Sequence, residues 1–157
     1  MNKKILLTLG IVFLAVISIS SVSAFWPFDS GNDVTVNKVN FHLPDGFDAD
    51  NPIKSESENT YEKAVYKNTK TKDTVDIVVS NKEIEDSVIK NKLIKYGFEQ
   101  KTIDGKEGFY KMDMYSKNVE FVYIDNDKVV SIIVPYVYDS YGDNTMKYDE
   151  LLSEIIK

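Results

Sequence analysis

The chain has no cysteine and no arginine among its 157 residues, so all 19 of its basic residues are lysines. The absence of cysteine excludes disulfides, thiol catalysis and zinc–thiolate sites, and with them the lipidated cysteine of a bacterial-type lipoprotein. The absence of arginine removes the planar, bidentate contacts that a guanidinium makes with carboxylate, phosphate or guanine. A chain of this length can dispense with disulfides if its core is adequate.

Histidine is nearly absent as well, since His42 is the only one. With no second histidine and no cysteine, neither a catalytic triad nor a typical transition-metal site can be completed. The sequence also lacks GxSxG, a phosphate-binding glycine loop, HExxH and a recognisable pair of catalytic carboxylates. We therefore interpret His42 as a structural or surface residue, expect no cofactor, and favour a protein that is not an enzyme.

Positive charge is scarce relative to negative charge, and the formal net charge is -6. Loss of the N-terminal lysines Lys3 and Lys4 would take the charge to about -8 by the same counting. Nucleic acid is bound chiefly through clustered positive charge, so we expect no nucleic-acid partner. The same balance gives no electrostatic help in docking to anionic lipid headgroups.

Residues 1–24 have the composition of a signal peptide. Two lysines precede an apolar run, and Val22-Ser23-Ala24 fits the small-residue cleavage pattern. The alternative is an uncleaved anchor, because no residue from Ile5 to Phe28 is charged; membrane contact would then be made only by residues 5–24. Under either interpretation residues 25–33 are a linker. A single domain, 34–157, then lies outside the cytoplasm, secreted or held at the outer face of the cytoplasmic membrane.

The stretch from Val119 to Tyr138 is predicted to be the central hairpin of the domain. Two β-rich runs flank Asp125-Asn126-Asp127, and Asn and Asp tolerate the positive φ angles of a tight turn. Val119, Phe121 and Tyr123 are expected on one sheet face, and Glu120, Val122 and Ile124 on the other. The run Val129–Val134 is almost wholly apolar, which is typical of a strand covered on both faces.

The rest of the domain is predicted from turn and helix signals. Residues 34–43 are expected to form one strand and residues 48–59, which are charged and broken by proline, a solvent loop. Ser80 with Glu83 is expected to form a capping box, with Asn81 as the alternative N-cap, for a helix that ends at Gly97. Asp104-Gly105 is expected to form a hairpin turn between two strands, and a second helix is expected over residues 145–157.

These signals give the order β-β-β-α-β-β-β-β-α, with short turns between most strands. Short connections favour antiparallel neighbours. We predict an α+β domain with a single antiparallel sheet of about six to seven strands and two amphipathic helices packed on one face.

Two groups of residues are candidates for a site. Asp45, Asp48 and Asp50 lie close together and suit calcium, although they match no EF-hand and turns use aspartate for local reasons. Tyrosines crowd near the C-terminus and suit a sugar- or protein-binding surface, although half-buried strands also favour tyrosine. These tyrosines are Tyr136, Tyr138, Tyr141 and Tyr148.

The segment Phe41-His42-Leu43-Pro44-Asp45-Gly46-Phe47 resembles the opening of PsbP-like domains, with Phe47 where tryptophan is commoner. The later segments GKEGFYKM and VEFVYIDNDKVVSIIVP look like those of small exported proteins of methanogenic archaea. The resemblance implies an antiparallel sheet flanked by helices and a role as an extracytoplasmic accessory binding factor. It transfers no functional residue to this chain.

The sequence therefore predicts an exported, non-enzymatic binding or interaction module of the cell envelope, whose partner is an envelope protein or a glycan. The alternatives are an envelope hydrolase that uses acidic residues and a calcium-stabilised adhesion domain.

Overall fold

The computed structural model describes residues 32–135 and 145–156. Nine strands and two helices lie in this part of the chain. The strands are β1 (Asp33–Val36), β2 (Val39–His42), β3 (Lys54–Ser57), β4 (Tyr61–Lys67), β5 (Thr74–Asn81), β6 (Glu99–Ile103), β7 (Lys106–Asp113), β8 (Asn118–Asp125) and β9 (Lys128–Pro135). The helices are α1 (Asp86–Lys95) and α2 (Thr145–Ile156).

Seven strands form one antiparallel sheet in the order β3-β4-β5-β9-β8-β7-β6. The predicted α+β class is confirmed, and so is the central hairpin. Strands β8 and β9 pair along their whole length, with Asp125 opposite Lys128 and Asn126 at a φ of 53° in the turn. The long connection through α1 carries the chain from β5 to the far edge of the sheet at β6.

The prediction of a single sheet is wrong, because residues 34–43 are not one strand. They fold back at Asn37 and Lys38, whose φ angles of 44° and 69° are those of a type I′ turn, and form the separate β1–β2 hairpin. The hairpin does not extend the sheet because its apolar side packs on the face of the sheet. Val34, Val36 and Phe41 belong to the main core cluster.

The prediction that both helices pack on one face is also wrong. Phe121 lies in the core cluster that contains Leu152 of α2, whereas its neighbour Val122 lies in the cluster that contains Leu93 of α1. Successive residues of a strand point to opposite faces. The β1–β2 hairpin and α2 therefore cover one face, here called the hairpin face, and α1 covers part of the other, here called the α1 face.

Helix α1 starts later than the predicted capping box. Strand β5 continues through Ser80, which is buried opposite Val129, to Asn81, which pairs with Lys128. Ser80 and Asn81 therefore pair with β9 and do not cap a helix. The N-cap of α1 is Glu85, whose side chain makes no capping hydrogen bond. The predicted end is confirmed, since Gly97 has a φ of +83°.

Strand β3 lies inside the segment predicted as a solvent loop. It pairs with β4, and Lys54 is only 8% exposed, with its ammonium 2.8 Å from Glu56. Because β3 contains no apolar residue, its sequence lacks the apolar–polar alternation by which a strand is recognised.

Within the described residues, no helix is long and apolar enough to cross a membrane. Residues 1–24, predicted as a signal peptide or anchor, lie outside the described part. Of the predicted linker 25–33, Asp33 is the first residue of β1.

Candidate functional site

Three hairpin turns meet at one end of the hairpin face. They join β1 to β2, β6 to β7, and β8 to β9, and all three contain residues with positive φ: Asn37, Lys38, Asp104, Gly105 and Asn126. Between them lies an open groove of about 620 Å³, here called the turn groove. It is lined by Lys38, Val39, Asn40, Asp104, Lys106, Tyr123, Asp125, Asn126, Asp127, Lys128 and Ile156.

Lys106 and Asp125 form one side of the groove as an ion pair, with 3.1 Å between Nζ and Oδ2. The same ammonium lies 5.8 Å from the centroid of the Tyr123 ring. Burial, with a smaller contribution from the Asp125 charge, raises the pKa of Tyr123 above its ordinary value. The Tyr123 hydroxyl therefore stays protonated at neutral pH, and its ring is only 3% exposed.

Lys128 is the second ordered cation of the groove. Its Nζ donates to Asn81 Oδ1 at 2.6 Å and to Asn37 Oδ1 at 3.5 Å, and it lies 3.9 Å from Asp127 Oδ2. Asn37 in turn donates from Nδ2 to the carbonyl oxygen of Val79 at 3.0 Å. These bonds join the β1–β2 turn to the end of β5, so the lysine has a fixed position.

The rim of the groove is polar and exposed, and both signs of charge are present on it. Lys38, Asp104, Asn126 and Asp127 are all exposed, and 82% of the Asp127 side chain is accessible. The groove thus offers hydrogen-bond donors and acceptors from a rigid set of turns. Such an arrangement suits a polar ligand rather than an apolar one.

A second groove of about 620 Å³, here called the edge groove, lies between strand β6 and helix α2. Four of its seven lining residues are acidic. Lys101 Nζ lies 2.6 Å from Asp149 Oδ2 and so neutralises one of them. The lining residues are Thr102, Ile103, Asp104, Asp149, Glu150, Ser153 and Glu154.

Among the described residues, two carboxyl groups have a raised pKa, and both lie on the opposite face of the sheet from the turn groove. Burial raises the pKa of Glu120 to about 7, against a hydrogen bond of 2.7 Å from Ser131 Oγ that lowers it. Burial also raises the pKa of Asp76, although Lys63 at 3.1 Å lowers it. Neither carboxylate lines the turn groove or the edge groove.

The predicted calcium candidates do not share a centre. Asp45 accepts a hydrogen bond from Asn32 Nδ2 at 3.0 Å, and Asp48 accepts from the backbone N–H of Asn51 at 3.2 Å. Across the described residues, no group of three or more His, Cys, Asp or Glu is arranged to hold a metal ion. His42, on β2, has its Nδ1 2.6 Å from Asp33 Oδ1.

Of the predicted tyrosine surface, only Tyr148 falls within the described residues, and the structure corrects its assignment. It is 4% exposed and belongs to the core cluster, with Lys101 Nζ 5.1 Å from its ring centroid. A ring at this depth cannot offer a face to a ligand. Tyr136, Tyr138 and Tyr141 lie outside the described residues.

Sequence reasoning missed Lys106, Lys128 and Asn81 as site residues. The turn at Asn126 and the turn at Asp104–Gly105 were both visible in the sequence. Their meeting with a third turn was not, because it depends on the strand order and on the separate β1–β2 hairpin.

A search for similarity to known proteins returned no matching family model, no matching curated protein and no matching solved structure.

Proposed function

We propose that the chain is an exported, non-enzymatic binding module of the cell envelope, and that the turn groove is its ligand site. The observation that carries the proposal is the convergence of three tight turns around ordered, oppositely charged side chains. Loops held by a rigid sheet are where binding residues concentrate. Lys106 and Lys128 each have a partner that fixes them, so little conformational entropy is lost when a ligand binds.

A binding role is favoured over the alternative of an acid-dependent hydrolase by the location of the perturbed carboxyls. A general acid is expected in a cleft and with a raised pKa. Glu120 and Asp76 have raised pKa values, but both lie on the α1 face. Ile133 is the cross-strand neighbour of both, so two strand spacings, about 10 Å, separate their backbones.

The chemistry of the groove indicates a polar ligand with both donors and acceptors. Among the described residues that line the groove, Tyr123 is the one aromatic residue, and its burial leaves no exposed ring among them on which a sugar could stack. A glycan would therefore be held through hydroxyl hydrogen bonds, and an envelope protein through a polar loop. Residues 41–47 resemble the opening of PsbP-like domains, and the accessory binding role that this resemblance implies agrees with such a site.

The calcium-stabilised adhesion domain is less well supported. Asp45 and Asp48 are each engaged in a hydrogen bond to an asparagine, which is the ordinary role of aspartate in a turn.

The absence of cysteine makes a site-specific cross-linking test possible. The full chain carrying Asp127→Cys, labelled with benzophenone maleimide, is mixed with the envelope fraction of the source cells and irradiated. Glu83→Cys, an exposed position on the chain segment before α1, is the matched control. We expect adducts at Asp127→Cys that are absent from Glu83→Cys.

A second variant links those adducts to the groove. Lys106→Gln combined with Asp125→Asn removes both charges but retains a hydrogen-bonded pair. We expect this variant to reduce adduct formation at Asp127→Cys several-fold. Identical adducts from both labelled positions, or adducts unaffected by the double variant, would contradict the proposal.

A further inference from the structure

Strand β6 is an outer strand, and no strand in the described part of the chain pairs with its free edge. It lies last in the seven-stranded order and pairs only with β7 among the described strands. Because the turn at Asp104–Gly105 has two residues, Ile103 and Lys106 exchange backbone hydrogen bonds across the hairpin. Hydrogen-bonded and non-hydrogen-bonded residue pairs then alternate along β6 and β7. The backbone N–H and C=O groups of Gln100 and Thr102 therefore point away from β7.

Helix α2 contacts β6 as well as β2 and β9. Lys101 of β6 meets Asp149 near the start of the described side chains of the helix. Asp104, just beyond the end of β6, shares the turn groove with Ile156, the last residue of the helix. The edge groove is bounded by Thr102 and Ile103 of β6 on one side and by α2 on the other, and it is here also called the channel.

The helix presents two exposed glutamates, Glu150 and Glu154, to this channel. Residues four apart on a helix have Cβ atoms about 5–6 Å apart. Alternate residues of an extended strand, which point to the same side, are about 6.6 Å apart. Two lysines at alternate positions of an added strand therefore match the spacing of the two glutamates.

The charge of the channel decides between kinds of partner. Asp104, Glu150 and Glu154 form no ion pair among the described residues, and Oδ1 of Asp149 has no hydrogen-bond partner there. A second copy of the chain paired edge to edge would bring two such acidic channels together, which is unfavourable. The same negative charges attract a basic segment, so its binding is favourable.

We propose that the β6 edge binds an extended, lysine-containing segment of a partner protein as an additional strand. Its backbone pairs with Gln100 and Thr102, and its lysines at alternate positions face Glu150 and Glu154. Among the described residues this interaction surface shares only Asp104 with the turn groove, and the inference does not depend on the groove having a ligand.

The test uses the full ¹⁵N-labelled chain and two synthetic peptides, Lys-Val-Lys-Val-Lys-Val-Lys and the same peptide with glutamate in place of lysine. We expect the lysine peptide to shift the amide resonances of Gln100, Thr102 and residues 149–154 and to slow hydrogen exchange at Gln100 and Thr102. The glutamate peptide should leave them unchanged. Shifts confined to the turn groove, or equal shifts with both peptides, would overturn the inference without affecting the turn-groove proposal.

Two pairs of variants separate the charge contribution from the backbone contribution. Glu150→Lys with Glu154→Lys should weaken binding roughly five- to tenfold, as expected for two exposed ion pairs, whereas Glu83→Lys with Glu85→Lys, the same charge change elsewhere, should not. Thr102→Pro removes an outward N–H without breaking the β7 ladder and should weaken binding more than Thr102→Val. Equal effects within either pair, or a concentration-dependent dimer by sedimentation that the Thr102→Pro variant abolishes, would refute a basic-peptide edge.

Discussion

At the scale of single residues, the most informative side chain is Glu120, a partly buried carboxyl on the α1 face. Burial raises its pKa to about 7, and its cross-strand neighbours are Lys111 on β7 and Ile133 on β9. Lys111 does not form an ion pair with it, because the Lys111 ammonium donates to the carbonyl oxygen of Tyr96 at 2.9 Å. Among the described residues the Glu120 carboxyl therefore has one side-chain hydrogen bond, which Ser131 donates.

The raised pKa predicts a stability that falls with increasing pH. The folded state prefers the protonated carboxyl, so the contribution of Glu120 is complete below its ordinary pKa of 4.5 and is lost as the pH rises through about 7. Glu120→Gln retains a neutral hydrogen-bonding group. We expect this variant to match the parent chain at pH 4 and to exceed it at pH 8 by up to about 3 kcal/mol in the free energy of unfolding.

Denaturant unfolding of both chains at the two pH values measures this difference. Glu83→Gln, at an exposed position, is the control and should follow the parent chain at both. A Glu120→Gln variant that retains the pH dependence of the parent chain would show that Glu120 does not titrate in this range.

At the scale of elements, tight turns with positive φ determine both the strand register and the turn groove. Asn126 has a φ of 53° between β8 and β9, while Asp127 beside it is not among the residues with positive φ. An L-residue with a branched side chain is strained at positive φ, and asparagine tolerates it best after glycine.

The two turn positions should therefore respond differently to one substitution. Asn126→Val is expected to lower the free energy of unfolding by about 1–2 kcal/mol, and Asn126→Gly to leave it nearly unchanged. Asp127→Val, in the same turn, should cost less than about 0.5 kcal/mol because no strained φ is involved. Chemical denaturation of the three variants decides; equal losses at both positions would contradict the assigned turn geometry.

At the scale of the whole molecule, the sheet separates two apolar clusters. Leu152 of α2 packs with Phe121 on the hairpin face, and Leu93 of α1 packs with Val122 on the α1 face. Both leucines are at most 2% exposed. A separation of this kind makes the two helices energetically independent.

Independent clusters predict additive mutational effects. Leu93→Ala and Leu152→Ala should each cost about 2–5 kcal/mol, and the double variant should equal their sum to within about 0.5 kcal/mol. As a contrast, Leu152→Ala and Phe121→Leu share one cluster and should show a coupling of about 0.5–3 kcal/mol. Unfolding in a stabilising sulfate buffer measures all of them. Coupling between Leu93 and Leu152 would indicate that the two helices share one core.

The candidate site was less accessible to sequence reasoning than the fold. Turn chemistry predicted the bends at Asn126 and Asp104–Gly105, but tyrosine density indicated Tyr148, which the core buries. An amphipathic tyrosine suits both a buried and an exposed position, so composition alone cannot separate them. The lysines of the turn groove carry no local signal, since lysine is common along the whole chain.

The sequence by itself determined the α+β class, the central hairpin and the end of α1. Each of these follows from a local signal: alternation with period two, turn residues that accept positive φ, and glycine after a helix. Only the tertiary structure decided that residues 34–43 form a separate hairpin, that β5 extends over the expected helix cap, and that the helices lie on opposite faces. Those outcomes depend on which strands pair with one another across the chain and on which face of the sheet is left uncovered for each helix. An amphipathic helix shows that it has an apolar side, but nothing in its own residues specifies which sheet face will receive it.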